Sequence, residues 1–184
     1  YDSHSMHKVY DRWPEIARES YNSNLEPVDF QDIDHIIFAG MGGSGAIGDL
    51  FTSILSKNNI HVSLVKGYLL PKTVDKNTLI VTTSVSGDTV ETLTVLDSAK
   101  KLDCNIIAFS SGGKMEKFCA NNKINYRKIE FIHSARASFV NFSFSIMHVL
   151  NSILPIEKDH ITETIDELSK IQKQIYSQNL SDTN

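Results

Sequence analysis

Apolar positions along the chain keep two rhythms. Short continuous runs, of the kind that make strands buried on both faces, alternate with stretches whose apolar residues recur every three or four positions. Residues 6–24 place Val9, Trp13, Ile16 and Ala17 near one face and predict an opening helix, with Pro14 early in it or kinking it. Residues 34–39 form the first apolar run, which breaks into Gly40-Met41-Gly42-Gly43-Ser44-Gly45. Helical spacing returns over residues 46–56, with Ile47, Leu50, Phe51, Ile54 and Leu55 on one side, and residues 61–65 read as a second strand.

The alternation then repeats. A strand over residues 78–82 breaks into Thr83-Ser84-Val85-Ser86-Gly87-Asp88-Thr89 and is followed by a helix over 90–101. A strand over 105–109 runs into Ser110-Ser111-Gly112-Gly113, a helix over 114–121 and a last short strand over 124–129. Strands alternating with helices predict an α/β fold: a three-layer α/β/α sandwich around a mainly parallel five-stranded sheet. Ligands of such sheets bind at the carboxyl ends of the strands, where both Gly/Ser loops fall. Beyond the sheet, residues 139–154 read as an apolar helix ended by Pro155. A stripe of Ile161, Ile165, Leu168, Ile171 and Ile175 marks a final helix. So narrow a stripe suits packing on the domain's own core and a linker or partner helix alike. Residues 179–184 read as frayed or truncated.

Composition narrows the class. With 184 residues, 41% hydrophobic and 22% charged, the chain has the makings of one globular domain with a full core. No apolar run approaches the length of a bilayer span, and the N-terminal residues lack the apolar core of a signal peptide. A cytoplasmic protein with no membrane partner is expected. The net charge of −4, without a long run of Lys or Arg, argues against nucleic acid. Cys104 and Cys119 form no CxxC pair and have no histidine cluster beside them. Both are expected to be buried thiols, with no metal site and no disulfide framework.

The first loop matches the dinucleotide fingerprint G-x-G-x-x-G between a strand and a helix. That fingerprint expects an acidic residue at the end of the next strand, and here the strand ends at Lys66, which would instead suit the extra phosphate of NADP. A plainer phosphate reading fits as well. Glycines let backbone approach an anion, the amides opening the following helix point at it, and Ser44 adds a hydroxyl. No Gly-Lys-Ser/Thr follows, so the loop is not that of a P-loop NTPase. Four glycines in six residues exceed the needs of a tight turn.

In the second loop Ser84, Ser86 and Thr89 cluster at the end of a strand around Gly87. Asp88 and Glu91 have the spacing of a capping box, with Asp88 as the expected cap of the following helix. Capping accounts for the two acids and leaves the hydroxyls unexplained. Hydroxyls at a helix N-terminus make a neutral cradle for a small phosphate monoester. Glu91 as a catalytic base is the less favoured reading of that residue.

Two such loops in this order and spacing resemble the sugar isomerase (SIS) domain over about residues 33–154. GMGGSGAIGDLF, KGYLLP, SVSGDTVETL, FSSGGKMEK and SARAS are together similar to the N-terminal half of archaeal-type bifunctional phosphoglucose/phosphomannose isomerases, and Tyr10-Asp11-Arg12-Trp13-Pro14 to that group's opening helix. The resemblance implies a doubly wound, flavodoxin-like sandwich that interconverts glucose 6-phosphate or mannose 6-phosphate with fructose 6-phosphate, without a cofactor. By motif position, Gly43, Ser44, Ser84, Ser86 and Thr89 would hold the phosphate. Arg136 would be catalytic, a fixed cation stabilising the developing enediolate oxygen.

The chain departs from that pattern at Ala135, where the family often has Pro, and at Asp88, where Asn is common. Asp88 puts negative charge beside the presumed phosphate. The isomerisation also needs a base to move a proton between neighbouring carbons and an acid to open the ring. In the family the Glu, His and Lys that serve lie in a second SIS domain, with the His reaching across a homodimer. His133 and His148 are poor substitutes, the first expected at the surface and the second packed in the core. The expected organisation is a helical extension over residues 1–30, a SIS domain over 31–155, and a linker helix over 156–184 leading to a second SIS domain that this chain lacks. The competing readings are a single-SIS phosphosugar isomerase completed by oligomerisation, a non-catalytic sugar-phosphate-binding module, and an NADP-binding domain.

Overall fold

The computed structural model describes residues 4–178. The opening helix is two helices, α1 (Met6–Asp11) and α2 (Trp13–Tyr21), broken at Arg12. The proline ring would clash with the carbonyl four residues back, so one helix cannot run through Pro14, and the chain restarts with that proline in its first turn.

Five strands follow: β1 (His35–Ala39), β2 (His61–Val65), β3 (Thr78–Ser84), β4 (Asn105–Ser110) and β5 (Asn125–Lys128). All neighbours are parallel, in the order β2-β1-β3-β4-β5. β1 and β3 lie centrally and every residue of each is buried, which is why residues 36–39 and 79–81 read as apolar runs, with buried His35, Thr78, Thr82, Thr83 and Ser84 at the strand ends. The edge strands β2 and β5 are half-exposed and more polar, as suits strands with an unpaired side.

Alternating residues of the central strands serve opposite faces. Ile36, Phe38, Leu79, Val81, Ile107 and Phe109 enter one large core with α3 (Gly42–Leu55), α6 (Phe139–Val149), α2 and the start of α7 (Lys158–Ile175). Phe38 stacks on Phe51 with ring centroids 5.0 Å apart. On the other face Ile37, Ala39 and Ile80 pack under α4 (Val90–Ala99), and Ala108 under α5 (Gly113–Asn122). The three layers expected from the alternation are therefore present.

Along α7, Ile161 and Ile165 are buried and Leu168 is packed against the core, whereas Ile171 and Ile175 are 50% and 69% exposed. The first half of the stripe thus packs on the domain's own core, and the second half is exposed. α6 stops at Val149, short of residue 154, because the chain turns back through bonds from Ile153 and Leu154 to the Leu150 carbonyl. Residues 179–184, read as frayed or truncated, lie outside the described residues. Among the described residues no helix is long and apolar enough to cross a membrane. Cys119 is buried and Cys104 half-buried, both as free thiols, and desolvation raises each to about 11, with the Asp103 charge adding at Cys104.

Candidate functional site at the strand ends

A sheet ordered 2-1-3-4-5 reverses its winding between β1 and β3, and the crevice at that reversal is where such folds hold ligands. The glycine loop leaves β1 there and the hydroxyl loop leaves β3, so the topology sets the two side by side.

The glycine loop is tighter than its sequence implies. α3 begins at Gly42 rather than near residue 46, with Met41 as its extended N-cap, so the glycines form the helix's own first turn. Close packing explains part of the glycine content. A Cβ on Gly40 would sit 2.8 Å from the Ser44 carbonyl oxygen, and one on Gly45 2.9 Å from that of Gly40. Gly42 and Gly43 are different: a Cβ would meet nothing within 4 Å at the first, and at the second only the Ala135 carbonyl oxygen at 3.9 Å. The backbone of these two residues is open to an approaching group.

Ser44 lies in that first turn, and its Oγ accepts a hydrogen bond from the Val85 amide at 3.3 Å, joining the first loop to the second. Ser86 Oγ accepts from the Asp88 amide at 3.2 Å. Ser84 Oγ accepts from the Gly87 amide at 3.1 Å and shares a 2.9 Å bond with Thr89 Oγ1. Ser84 is buried at 1% exposure, Ser86 is exposed, and Ser44 and Thr89 are half-exposed. Amides therefore orient the oxygens of Ser44 and Ser86, which leaves their hydroxyl protons free to donate outward, while Ser84 and Thr89 use one hydroxyl proton between them. Ser84 faces inward and shapes the turn.

The capping expectation needs correction. Thr89 is the N-cap of α4 and makes no side-chain cap bond. Asp88 turns instead to the neighbouring helix and accepts from the Lys114 amide of α5 at 3.0 Å. Glu91 lies beside Tyr68, and its negative charge, with a smaller hydrogen-bonding contribution, raises the Tyr68 phenol above its ordinary value. Lys66, read as a possible NADP contact, is paired with Asp49 at 2.6 Å, so its charge is already answered within the fold.

Arg136 stands in the loop before α6. Ser138, buried, bonds to both backbone groups of Ile132 and to the Ser134 carbonyl, while Ser134 Oγ accepts from the Ala137 amide. The serines of SARAS thus fold a tight turn that leaves Arg136 exposed, with no carboxylate partner among the described residues. The preceding residue, Ala135, approaches Gly43, so this turn borders the glycine loop. His133 is exposed and bonded to the His4 carbonyl, and His148 is half-buried, bonded to the Leu25 carbonyl.

A third loop, Ser110 to Gly113, had no assigned role in the sequence beyond its place in a motif. Ser111 donates both its amide and its hydroxyl to the Val85 carbonyl, at 3.1 and 2.6 Å. Paired serines and glycines at a third strand end were the signal that it belongs with the other two.

Fold and loops define a doubly wound α/β domain with Ser/Gly-rich loops at its winding reversal. The SIS domain family matches residues 29–151, and the chain belongs to that family. It is 34% identical to a bifunctional phosphoglucose/phosphomannose isomerase of Caldicellulosiruptor bescii, over 87% of this chain and 49% of the relative. It is 27% identical to a D-glucosamine-6-phosphate 4-epimerase of Sulfolobus acidocaldarius, over 79% and 46%. Among solved structures, the C-terminal domain of glucosamine-fructose-6-phosphate aminotransferase from Francisella tularensis superposes with a TM-score of 0.64 at 19% identity, covering 94% of this chain and 55% of that one. The chain spans about half the length of the curated relatives it matches.

Proposed function

We propose that the two strand-end loops hold the phosphate of a sugar 6-phosphate, and that the chain is the phosphate-binding N-terminal half of an enzyme interconverting glucose 6-phosphate or mannose 6-phosphate with fructose 6-phosphate. The observation that carries this reading is the pair of amide-oriented hydroxyls of Ser44 and Ser86, with the Thr89 hydroxyl held by Ser84, beside the open backbone of Gly42 and Gly43. Such donors suit a dianion that must leave after turnover. Gly43 offers backbone, and Ser84 acts through the turn that it shapes.

Arg136 is the catalytic residue that this half contributes, its guanidinium stabilising the enediolate oxygen that develops between the reacting carbons. The base and the ring-opening acid belong to a second SIS domain and to the neighbouring subunit of a homodimer. The exposed distal part of α7, with Ile171 and Ile175, fits a linker helix toward that second domain. The enzyme is taken to be cytoplasmic and to need no cofactor, nucleic acid or membrane.

A second reading, a sugar-phosphate-binding module without turnover, is favoured by the engagement of local candidate bases: Glu91 with Tyr68, and His133 with the His4 carbonyl. Titration of the chain with fructose 6-phosphate by calorimetry, with NADP as control, tests the shared premise. Saturable binding of the sugar phosphate alone is expected. Binding of NADP alone would overturn both readings.

A further inference from the structure

The helix N-termini at the strand ends are in different states. The first amides of α4 have no partner inside their helix and no side-chain cap. Those of α5 are engaged: the Lys114 amide by Asp88 Oδ1 at 3.0 Å and the Met115 amide by the Gly87 carbonyl at 2.9 Å. The second loop is thus seated on the start of α5. Contact is so close that a Cβ on Gly87 would lie 1.9 Å from the Gly112 carbonyl oxygen, and one on Gly113 2.5 Å from that of Ser86. Both glycines hold positive φ, 75° and 73°.

We propose that Asp88 is a positioning residue for the phosphate loop: its carboxylate latches the loop to the Lys114 amide and so fixes the directions in which Ser86 and Thr89 present their hydroxyls. The inference rests on the phosphate reading above and adds to it the residue that sets the loop's shape. Its physical basis is the position of Asp88. Its amide orients Ser86 Oγ at 3.2 Å, its side chain is bonded to α5, and the next residue is Thr89. A loop anchored on both sides of one residue keeps its donors preorganised, and preorganisation reduces the ordering cost of binding. A carboxylate near a bound phosphate would by Coulomb's law alone weaken binding, so latch and charge predict opposite signs.

That opposition makes the test. Asp88→Ala removes latch and charge. Asp88→Asn keeps an acceptor oxygen for the Lys114 amide and removes the charge. Asp88→Glu keeps the charge and displaces the acceptor. Fructose 6-phosphate is titrated into each by calorimetry, and exchange of the Lys114 amide is followed by NMR. The expected result is affinity lowered about fivefold in Asp88→Ala and Asp88→Glu, as for lost preorganisation rather than a lost ligand contact, with Asp88→Asn equal to wild type or tighter. Protection of the Lys114 amide should fall in the first two variants and persist in the third. Tighter binding by both Asp88→Ala and Asp88→Asn would overturn the proposal in favour of a purely repulsive charge. Unchanged affinity in Asp88→Ala would overturn it as well, and should that variant not fold, Asp88→Glu decides by the same criterion. A wild-type chain that binds no sugar phosphate, with the Lys114 amide still protected, overturns the phosphate reading and the proposal built on it while leaving the latch as a structural contact.

Discussion

The Val85 amide donates to Ser44 Oγ at 3.3 Å, while the carbonyl of the same residue accepts from Ser111. One residue of the second loop is thereby held by the first loop through its amide and by the third through its carbonyl. Ser44→Ala should cut this tie, remove a ligand donor and leave the buried Val85 amide without its acceptor, lowering fructose 6-phosphate affinity about tenfold and stability by about 1–3 kcal/mol. Calorimetry and a thermal melt check both parts, and an unchanged affinity would exclude the first loop from the binding site.

Ser84 and Ser86 should separate by burial. Ser86→Ala, at an exposed position, and Thr89→Ala should weaken binding with stability changed by no more than about 0.5 kcal/mol. Ser84→Ala removes a buried hydroxyl bonded to the Gly87 amide and to Thr89 Oγ1, while the Gly87 amide keeps its 3.0 Å bond to the carbonyl of residue 84, and should cost about 1 kcal/mol of stability. Denaturant unfolding of the three variants measures this, and equal stability losses would dissolve the distinction.

Gly87→Ala should be the most disruptive single change in the site. The new Cβ would meet the Gly112 carbonyl oxygen at 1.9 Å, on a backbone whose φ of 75° already disfavours a side chain. A loss of about 3 kcal/mol is expected, read as a lowered denaturation midpoint.

Arg136→Ala should act on turnover. In an enzyme with both SIS domains, kcat is expected to fall about 100-fold or more while sugar-phosphate affinity changes little, as for a group engaged chiefly in the transition state. Equal losses in affinity and rate would make the arginine a simple ligand contact.

Stability should depend on pH through the foot of the sheet, away from the loops. His35 is buried, bonded through Nε2 to Ser63 Oγ at 2.9 Å, and its ring lies 4.6 Å from that of His61. Burial, and then the neighbouring His61 charge, hold its pKa below the ordinary 6.5, against smaller opposing effects of Asp75 and Asp34. The unfolded chain therefore takes up the proton first as pH falls. The contribution of the neutral His35 is complete above about pH 6.5 and is lost as pH drops from there toward the lowered folded value. Denaturation midpoints between about pH 7 and 5 should show the decline, and His35→Gln should flatten it.

How much of this was legible in the sequence can be followed element by element. The middles of β1 and β3 are legible because burial on both faces favours apolar residues there, and the helices of the sandwich because one face must meet the sheet. The start of α3 differs from the sequence reading because four glycines suggest a loop, whereas Gly42, Gly43 and Gly45 lie in the first turn of the helix, with Gly45 packed against the Gly40 carbonyl. The opening helix was read as one because side-chain periodicity continues across a backbone break that Pro14 imposes.

The sequence by itself determined the layered α/β architecture, the family, and which loops carry hydroxyls, since these depend on local spacing and on residues adjacent in the chain. Only the tertiary structure decided what those residues do to one another. Asp88 has the spacing of a cap for α4 and bonds to α5, Glu91 meets Tyr68, and Lys66 meets Asp49. The reason is geometric: a polar side chain takes whichever partner the sheet order brings within hydrogen-bonding distance, and strand order is set by packing among segments far apart in sequence.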